Sequence, residues 1–186
     1  PKWIDQNNDG VIDANDRTIL GDPYADFIWG LNNTFTFGRL NLSVFIEGVE
    51  GVELFSTLLA NTYLPFDNSR NRLAEPILNR WTPNNPTNEW PSFINAGAYG
   101  GDVVNSFTVQ DASFIRLKTV SLSYDLNVDK LKFVRNLSVS LTGQNLGLIT
   151  DYLGFDPDVA GSGNTRNDID SYPNSRTFLL GLNVGF

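Results

Sequence analysis

Five separate stretches of the chain alternate apolar and polar residues with a period of two, and no long stretch with a helical period competes with them. In 27–38, Phe27, Trp29, Leu31, Phe35 and Phe37 share one face, broken only by Asn33. Ile28, Gly30, Asn32, Thr34, Thr36 and Gly38 hold the other. In 40–48, Leu40, Leu42, Val44 and Ile46 oppose Asn41, Ser43, Phe45 and Glu47. The third stretch, 112–126, sets Val120, Leu122, Tyr124 and Leu126 against Thr119, Ser121, Ser123 and Asp125. Leu137, Val139 and Leu141 alternate with serines and Thr142 in 136–149, and Phe178, Leu180, Leu182, Val184 and Phe186 form one face of 175–186. Successive side chains on a strand point to opposite faces, so this period predicts an all-β chain of antiparallel strands.

Alternation alone fits both a soluble sandwich, with its apolar face inward, and a membrane barrel, with that face outward. Two features favour the barrel. The polar face is mostly small and uncharged, whereas strands facing water usually carry Lys and Glu. The connections also run short, very long, short and long: near Arg39, about 49–111, 127–135 and 150–174. Tight turns on one side and long loops on the other are a barrel habit. Inside a compact soluble domain, a connection of about sixty residues argues against the assignment. If Phe186 ends on the periplasmic side, every long connection falls outside, together with 1–26. The expected organisation is therefore an outer loop over 1–26, then barrel strands with their loops over 27–186. Within the longest loop, Val52, Phe55, Leu58 and Leu59 suggest a short helix over 52–64, and a second over 72–81 is interrupted by Pro76.

Composition removes several chemistries. Among 186 residues there is no Cys, His or Met, and 13 basic side chains face 21 acidic ones for a net charge of −8. Triads that need imidazole or thiol are excluded, as are disulfides and zinc sites built on Cys or His. The acidic balance speaks against nucleic acid as a partner. No apolar run reaches the roughly 18–20 residues of a membrane-spanning helix, which leaves barrel strands untouched. With Pro1 in place of a starting Met, the chain is expected to be part of a longer polypeptide. No carboxylate pair has the spacing of a general acid and base, so no catalytic residue is assigned and an enzyme is not expected.

One motif has chemistry of its own. Asp5-x-Asn7-x-Asp9-Gly10-Val11-x-Asp13-x-x-Asp16 matches the calcium-loop pattern, with side-chain oxygens at positions 1, 3, 5 and 9, a backbone carbonyl at Val11 and a carboxylate at position 12. Position 12 is Asp instead of Glu, which shortens its reach, and no long helix flanks the loop. A bound Ca²⁺ is the expected structural cofactor; the alternative is a turn in which Asx side chains cap their own backbone. Trp81, Trp90 and Tyr99 offer faces for stacking on a sugar or for a lid protein, or else pack the long loop against itself or lie at a membrane interface. Asp156, Asp158, Asp168 and Asp170 read as a solvated acidic loop, with a cation or lid contact as the alternative.

Several pieces together resemble a known family. They are Asp5 through Asp13 with Asp16-Arg17, Gly21-Asp-Pro23, Phe27-x-x-Gly-Leu31, Arg80-Trp-Thr-Pro-Asn84 and Asp111-Ala-Ser-Phe-Ile-Arg-Leu-Lys118. Gly143-Gln-Asn-Leu146, Gly154-Phe-Asp-Pro-Asp158 and Ser171-Tyr-Pro-x-x-Arg-Thr-Phe178 complete the set. In this order they resemble the C-terminal portion of SusC/RagA-type TonB-dependent outer-membrane transporters. The resemblance implies the last strands of a plugged barrel of about 22 strands, in the outer membrane of a Gram-negative, Bacteroides-like bacterium. It implies nutrient import of glycans or peptides with a SusD-like surface lipoprotein as lid. The remaining partners would be outer-membrane lipid, the rest of the barrel and plug, and TonB acting through an N-terminal part outside this sequence. A terminal aromatic such as Phe186 would serve as the assembly signal. The alternative function is a soluble calcium-containing β-sandwich that binds glycans.

Overall fold

The computed structural model describes residues 4–64, 71–90, 92, 104–131, 133–158, 166–169 and 171–186. In chain order the strands are β1 (Phe27–Phe37), β2 (Leu40–Glu50), β3 (Glu53–Ser56), β4 (Val109–Asp111), β5 (Phe114–Asp125), β6 (Asn136–Thr150), β7 (Asn167–Asp168) and β8 (Thr177–Gly185). Two short helices, α1 (Thr57–Tyr63) and α2 (Ala74–Leu78), lie in the longest connection. The chain divides into two compact units, each assembled from three separated stretches: 1–23, 53–110 and 160–171 in one, 24–52, 111–159 and 172–186 in the other.

The second unit is built on a five-stranded antiparallel sheet in the order β1-β2-β5-β6-β8. All five expected strands are present, paired with their expected neighbours. Gly38-Arg39 turns β1 into β2; Gly38 takes the left-handed conformation that a two-residue turn demands there, with φ +62. Register then lines the alternating residues into rows. Phe35, Leu42, Leu122, Leu141 and Leu180 are successive partners across all five strands, and so are Phe37, Leu40, Tyr124, Val139 and Leu182. The intervening row on the other face is Thr36, Asn41, Ser123, Ser140 and Gly181. At about 4.8 Å per strand, each row crosses roughly 19 Å.

The apolar rows stay exposed: Phe35, Phe37, Leu122, Leu141, Leu180 and Leu182 all keep large accessible surface. The apolar side chains that this unit buries include Val49, Val52, Ala112, Phe114 and Tyr152, near the end from which the long connections leave. Water tolerates single exposed apolar side chains but disfavours a contiguous patch of this extent. Register slips twice: between Phe45 and Ile46, which β5 opposes with Thr119 and Leu117, and between Leu117 and Thr119, which β6 opposes with Gly147 and Gln144. At the second slip, Asn145 holds φ 53, and its amide donates to the Ser175 carbonyl at 3.0 Å. Asn is among the few side chains that accept this conformation, which accounts for its place in Gly143-Gln-Asn-Leu146.

The other unit has a three-stranded sheet, β4-β3-β7, with β3 and β7 parallel. Here two helix expectations are corrected. Residues 53–56 are extended as β3, paired in the sheet with β4 and β7, and Ser56 caps α1, its hydroxyl accepting from the Leu59 amide at 3.2 Å. Pro76 does not interrupt the second helix. It is the third residue of α2, inside the first turn, where a missing N–H costs no helical hydrogen bond. This unit buries Leu54, Leu59, Ala60 and Pro76, together with the polar Ser56, Thr108 and Asp168. Among the described residues no helix is long and apolar enough to cross a membrane.

Candidate functional site

Loop 5–16 folds around its own carboxylates. Asp5 accepts from the amides of Asp9 at 3.2 Å and Gly10 at 2.8 Å, and Asn7 accepts from the Asp9 amide at 3.0 Å. Asp9 accepts from the Val11 amide at 2.8 Å and from the Asn7 side-chain amide at 2.8 Å. Gly10, at the turn position of the motif, has φ +82, and Asn8 has φ 61. A single 3-10 turn over Ala14–Asp16 closes the loop with a reciprocal cap between Asp13 and Asp16. Asp16 also accepts from the Gln6 amide at 2.8 Å, tying the loop's two ends together. Its carboxyl is held below the usual range chiefly by the Asp13 amide, against slight desolvation, with the Gln6 and Asn7 amides adding to the effect. The donors are all hard oxygens, the chemistry calcium prefers. Among the described residues, no three acidic side chains converge as a metal cluster.

The aromatic candidates are placed differently from one another. Trp81 and Trp90 are adjacent through the backbone, the Trp81 amide donating to the Trp90 carbonyl at 3.3 Å. The Trp90 ring stacks on Tyr63 at 5.8 Å between centroids, and Phe107 meets both rings edge-on. Trp81 remains partly open. Tyr99 lies outside the described residues. Phe186 follows β8 at the turn end of the sheet and is exposed.

The sequence reading missed a charge cluster on the polar face. Arg116, only 3% exposed, lies on β5; its Nη2 donates to Asp156 Oδ1 at 2.5 Å. Its Nε is 3.8 Å from Glu47 Oε1 and has no hydrogen-bond partner among the described residues. Lys118 holds the same Glu47 carboxylate at 2.8 and 2.9 Å. Asp156, 5% exposed, also accepts from the amides of Asp158 at 2.9 Å and Asn174 at 3.0 Å. Burial pushes this carboxyl up. The Arg116 hydrogen bond, the two amides and the guanidinium charge outweigh that and hold it below the usual range. The expected solvated acidic loop is thus corrected at two positions, since Asp156 and Asp168 are both buried. Asp170 lies outside the described residues. One signal was available: Arg116 and Lys118 share the sequence parity of Val120, Leu122 and Tyr124, so two charges break an otherwise apolar series, and Arg116 and Asp156 each sit within a family-like motif.

No family model matches the chain. Its sequence is 40% identical over 196 residues to TonB-dependent receptor P26 of Formosa agariphila, covering 100% of the chain and 19% of that protein. TonB-dependent receptor SusC of Bacteroides thetaiotaomicron is 27% identical, over 99% of the chain and 17% of its own length. The chain spans about a fifth of the length of the curated relatives it matches. Among solved structures, the RagAB peptide importer in its closed-closed state superposes with a TM-score of 0.76 at 21% identity, over 96% of the chain and 20% of the importer chain. The open-open state gives 0.71 at 24% identity, over 86% and 17%. These structures show the fold.

Proposed function

The chain belongs to the SusC/RagA-type TonB-dependent receptors, and from that premise we propose that it supplies strands and long loops to an outer-membrane nutrient importer. The observation that carries this is the pair of exposed apolar rows crossing all five strands. Lipid is the solvent that suits such a face, while the rows of Thr, Ser and Asn suit a water-filled lumen. Both outer strands, β1 and β8, have an edge without a partner among the described residues, which the rest of the barrel would pair. The working partners are a SusD-like surface lipoprotein as lid, a plug, and TonB. The cargo is a peptide or glycan, and the chain is a transport component rather than an enzyme. Trp81 and Trp90 belong to a long loop on the side of substrate and lid. In the full-length receptor, fractionation into the outer membrane and resistance to alkaline carbonate extraction are expected; release as a soluble protein would contradict the reading.

Phe186 acts in this reading as the signal for barrel assembly. Phe186→Ala in the full-length receptor is expected to lower the surface-exposed, assembled fraction severalfold. Unchanged assembly would reduce the ring to an interfacial anchor.

Loop 5–16 is proposed to take a structural Ca²⁺ through Asp5, Asn7, Asp9, Asp13 and Asp16 with the Val11 carbonyl. Motif spacing, the left-handed Gly10 and the all-oxygen donor set support this. Calcium at about 10⁻⁴–10⁻³ M is expected to slow protease cleavage within 5–16, with Mg²⁺ much less effective. Asp5→Asn with Asp9→Asn should abolish that protection. Equal cleavage with calcium and with chelator would leave the loop as a set of Asx turns.

A further inference from the structure

Charge is divided between the two ends of the five-stranded sheet. The end from which the long connections leave holds Asp26, Glu47, Glu50, Asp111 and Asp151 around Arg116 and Lys118. The opposite end is made by the Gly38-Arg39 turn, the 126–135 connection and the last residues of β8. Strand-end hydrogen bonds bring these pieces side by side: the Asp125 amide donates to the Arg39 carbonyl at 2.9 Å, Leu126 to Leu137 at 2.8 Å, and Arg135 to Gly185 at 2.7 Å. Arg39, Lys130 and Arg135 are exposed there, and no ion pair among the described residues engages their head groups. In sequence this end carries Arg39, Lys130, Lys132 and Arg135 against Asp125 and Asp129, a basic excess in a chain whose net charge is −8.

Apolar side chains stand among these cations. Phe133 is 84% exposed, and Phe37, Leu131 and Phe186 are exposed beside it in the same sheet end. The row Phe37, Leu40, Tyr124, Val139 and Leu182 runs directly into this end. Rings are disfavoured in water and cations in an apolar interior; an interface of acyl chains below and anionic groups above satisfies both.

We propose that this sheet end is a docking surface for anionic phospholipid headgroups. Arg39, Lys130 and Arg135 pair with phosphate oxygens while Phe37, Phe133 and Phe186 enter the headgroup boundary. This rests on the membrane reading above and adds a lipid preference to it. Free phosphate would satisfy the cations yet leave the rings in water. An acidic protein surface would have to cover a patch that is continuous with the lipid-facing rows.

The test places the full-length receptor in vesicles of phosphatidylethanolamine with and without phosphatidylglycerol and follows its thermal midpoint. Phosphatidylglycerol is expected to raise the midpoint of the wild type. The variant R39Q/K130Q/R135Q should lose at least half of that rise. The rise should fade between about 0.01 M and about 1 M salt, as the screening length falls from about 30 to about 3 Å. If the triple variant does not assemble, K130Q/R135Q alters only the exposed connection and is read in the same way. An equal rise in wild type and variant overturns the proposal. So does a rise reproduced by inorganic phosphate alone, or a variant that loses cross-links to another protein while keeping its response to phosphatidylglycerol. Failure to integrate into either vesicle overturns the membrane reading and this one with it; integration with an unchanged lipid response overturns this one alone.

Discussion

In the full-length receptor, Leu122→Arg is expected to cut the folded, heat-modifiable barrel severalfold, while Ser123→Arg, one residue along the same strand, leaves most of it. Leu122 is the central member of the row Phe35, Leu42, Leu122, Leu141 and Leu180, one apolar row in from the turn end, so in the proposed barrel its side chain meets lipid between that interface and the midplane. An Arg on the lipid face of a barrel costs about 2–4 kcal/mol at the midplane and about 0–1 kcal/mol near the interface, so an intermediate cost is expected at 122. Ser123 lies in the row of Thr36, Asn41 and Ser140, where a lumen hydrates a guanidinium. Comparison of unheated and heated samples on gels reads both variants. Equal losses would show that neither face meets lipid.

Arg116→Met is expected to destabilise the stem of the last long connection, by about 3–5 kcal/mol if the buried Asp156 carboxylate stays ionised. Asp156 gathers Arg116, the Asp158 amide and the Asn174 amide, so one carboxylate fastens both halves of that stem to β5. Removal of the guanidinium strands a buried charge; R116M/D156N removes both charges and should recover part of the loss. Limited proteolysis within 151–176 measures it. Because the Asp156 pKa is lower in the folded state, its contribution is present above the ordinary carboxylate pKa and is lost as pH falls through the depressed value. At neutral pH the fastening is therefore fully engaged. Resistance of R116M to protease equal to that of the wild type would show the pair to be dispensable.

The long strands were legible because each alternates over six or more residues, and a one-residue slip would move Leu122 or Leu180 to the polar face. Their order followed from the connection lengths. The strands β3, β4 and β7 were not legible, since two to four residues are too few to establish a period and their pairing is set by distant partners. Pro76 misled because its effect depends on its distance from the helix start, which the sequence alone left open. The burial of Asp156 is a tertiary event: Arg116 lies forty positions away in the chain, and the fold makes them neighbours. In loop 5–16 the oxygens were legible, and so was the turn at Gly10; which amides each carboxylate accepts from emerges only from the folded backbone.

If the apolar face of this sheet meets lipid, accessibility to lipid and to water must alternate residue by residue along β5. The chain contains no cysteine, so thiols introduced singly at Ser121, Leu122, Ser123 and Tyr124 give unique labelling sites within this segment. Spin labels at these positions in the membrane-embedded, full-length receptor are probed with oxygen, which concentrates in lipid, and with a water-soluble nickel chelate. Oxygen accessibility is expected at 122 and 124, and chelate accessibility at 121 and 123. Inverted parity, or shielding of 122 and 124 from both probes as in a closed sandwich core, would contradict it.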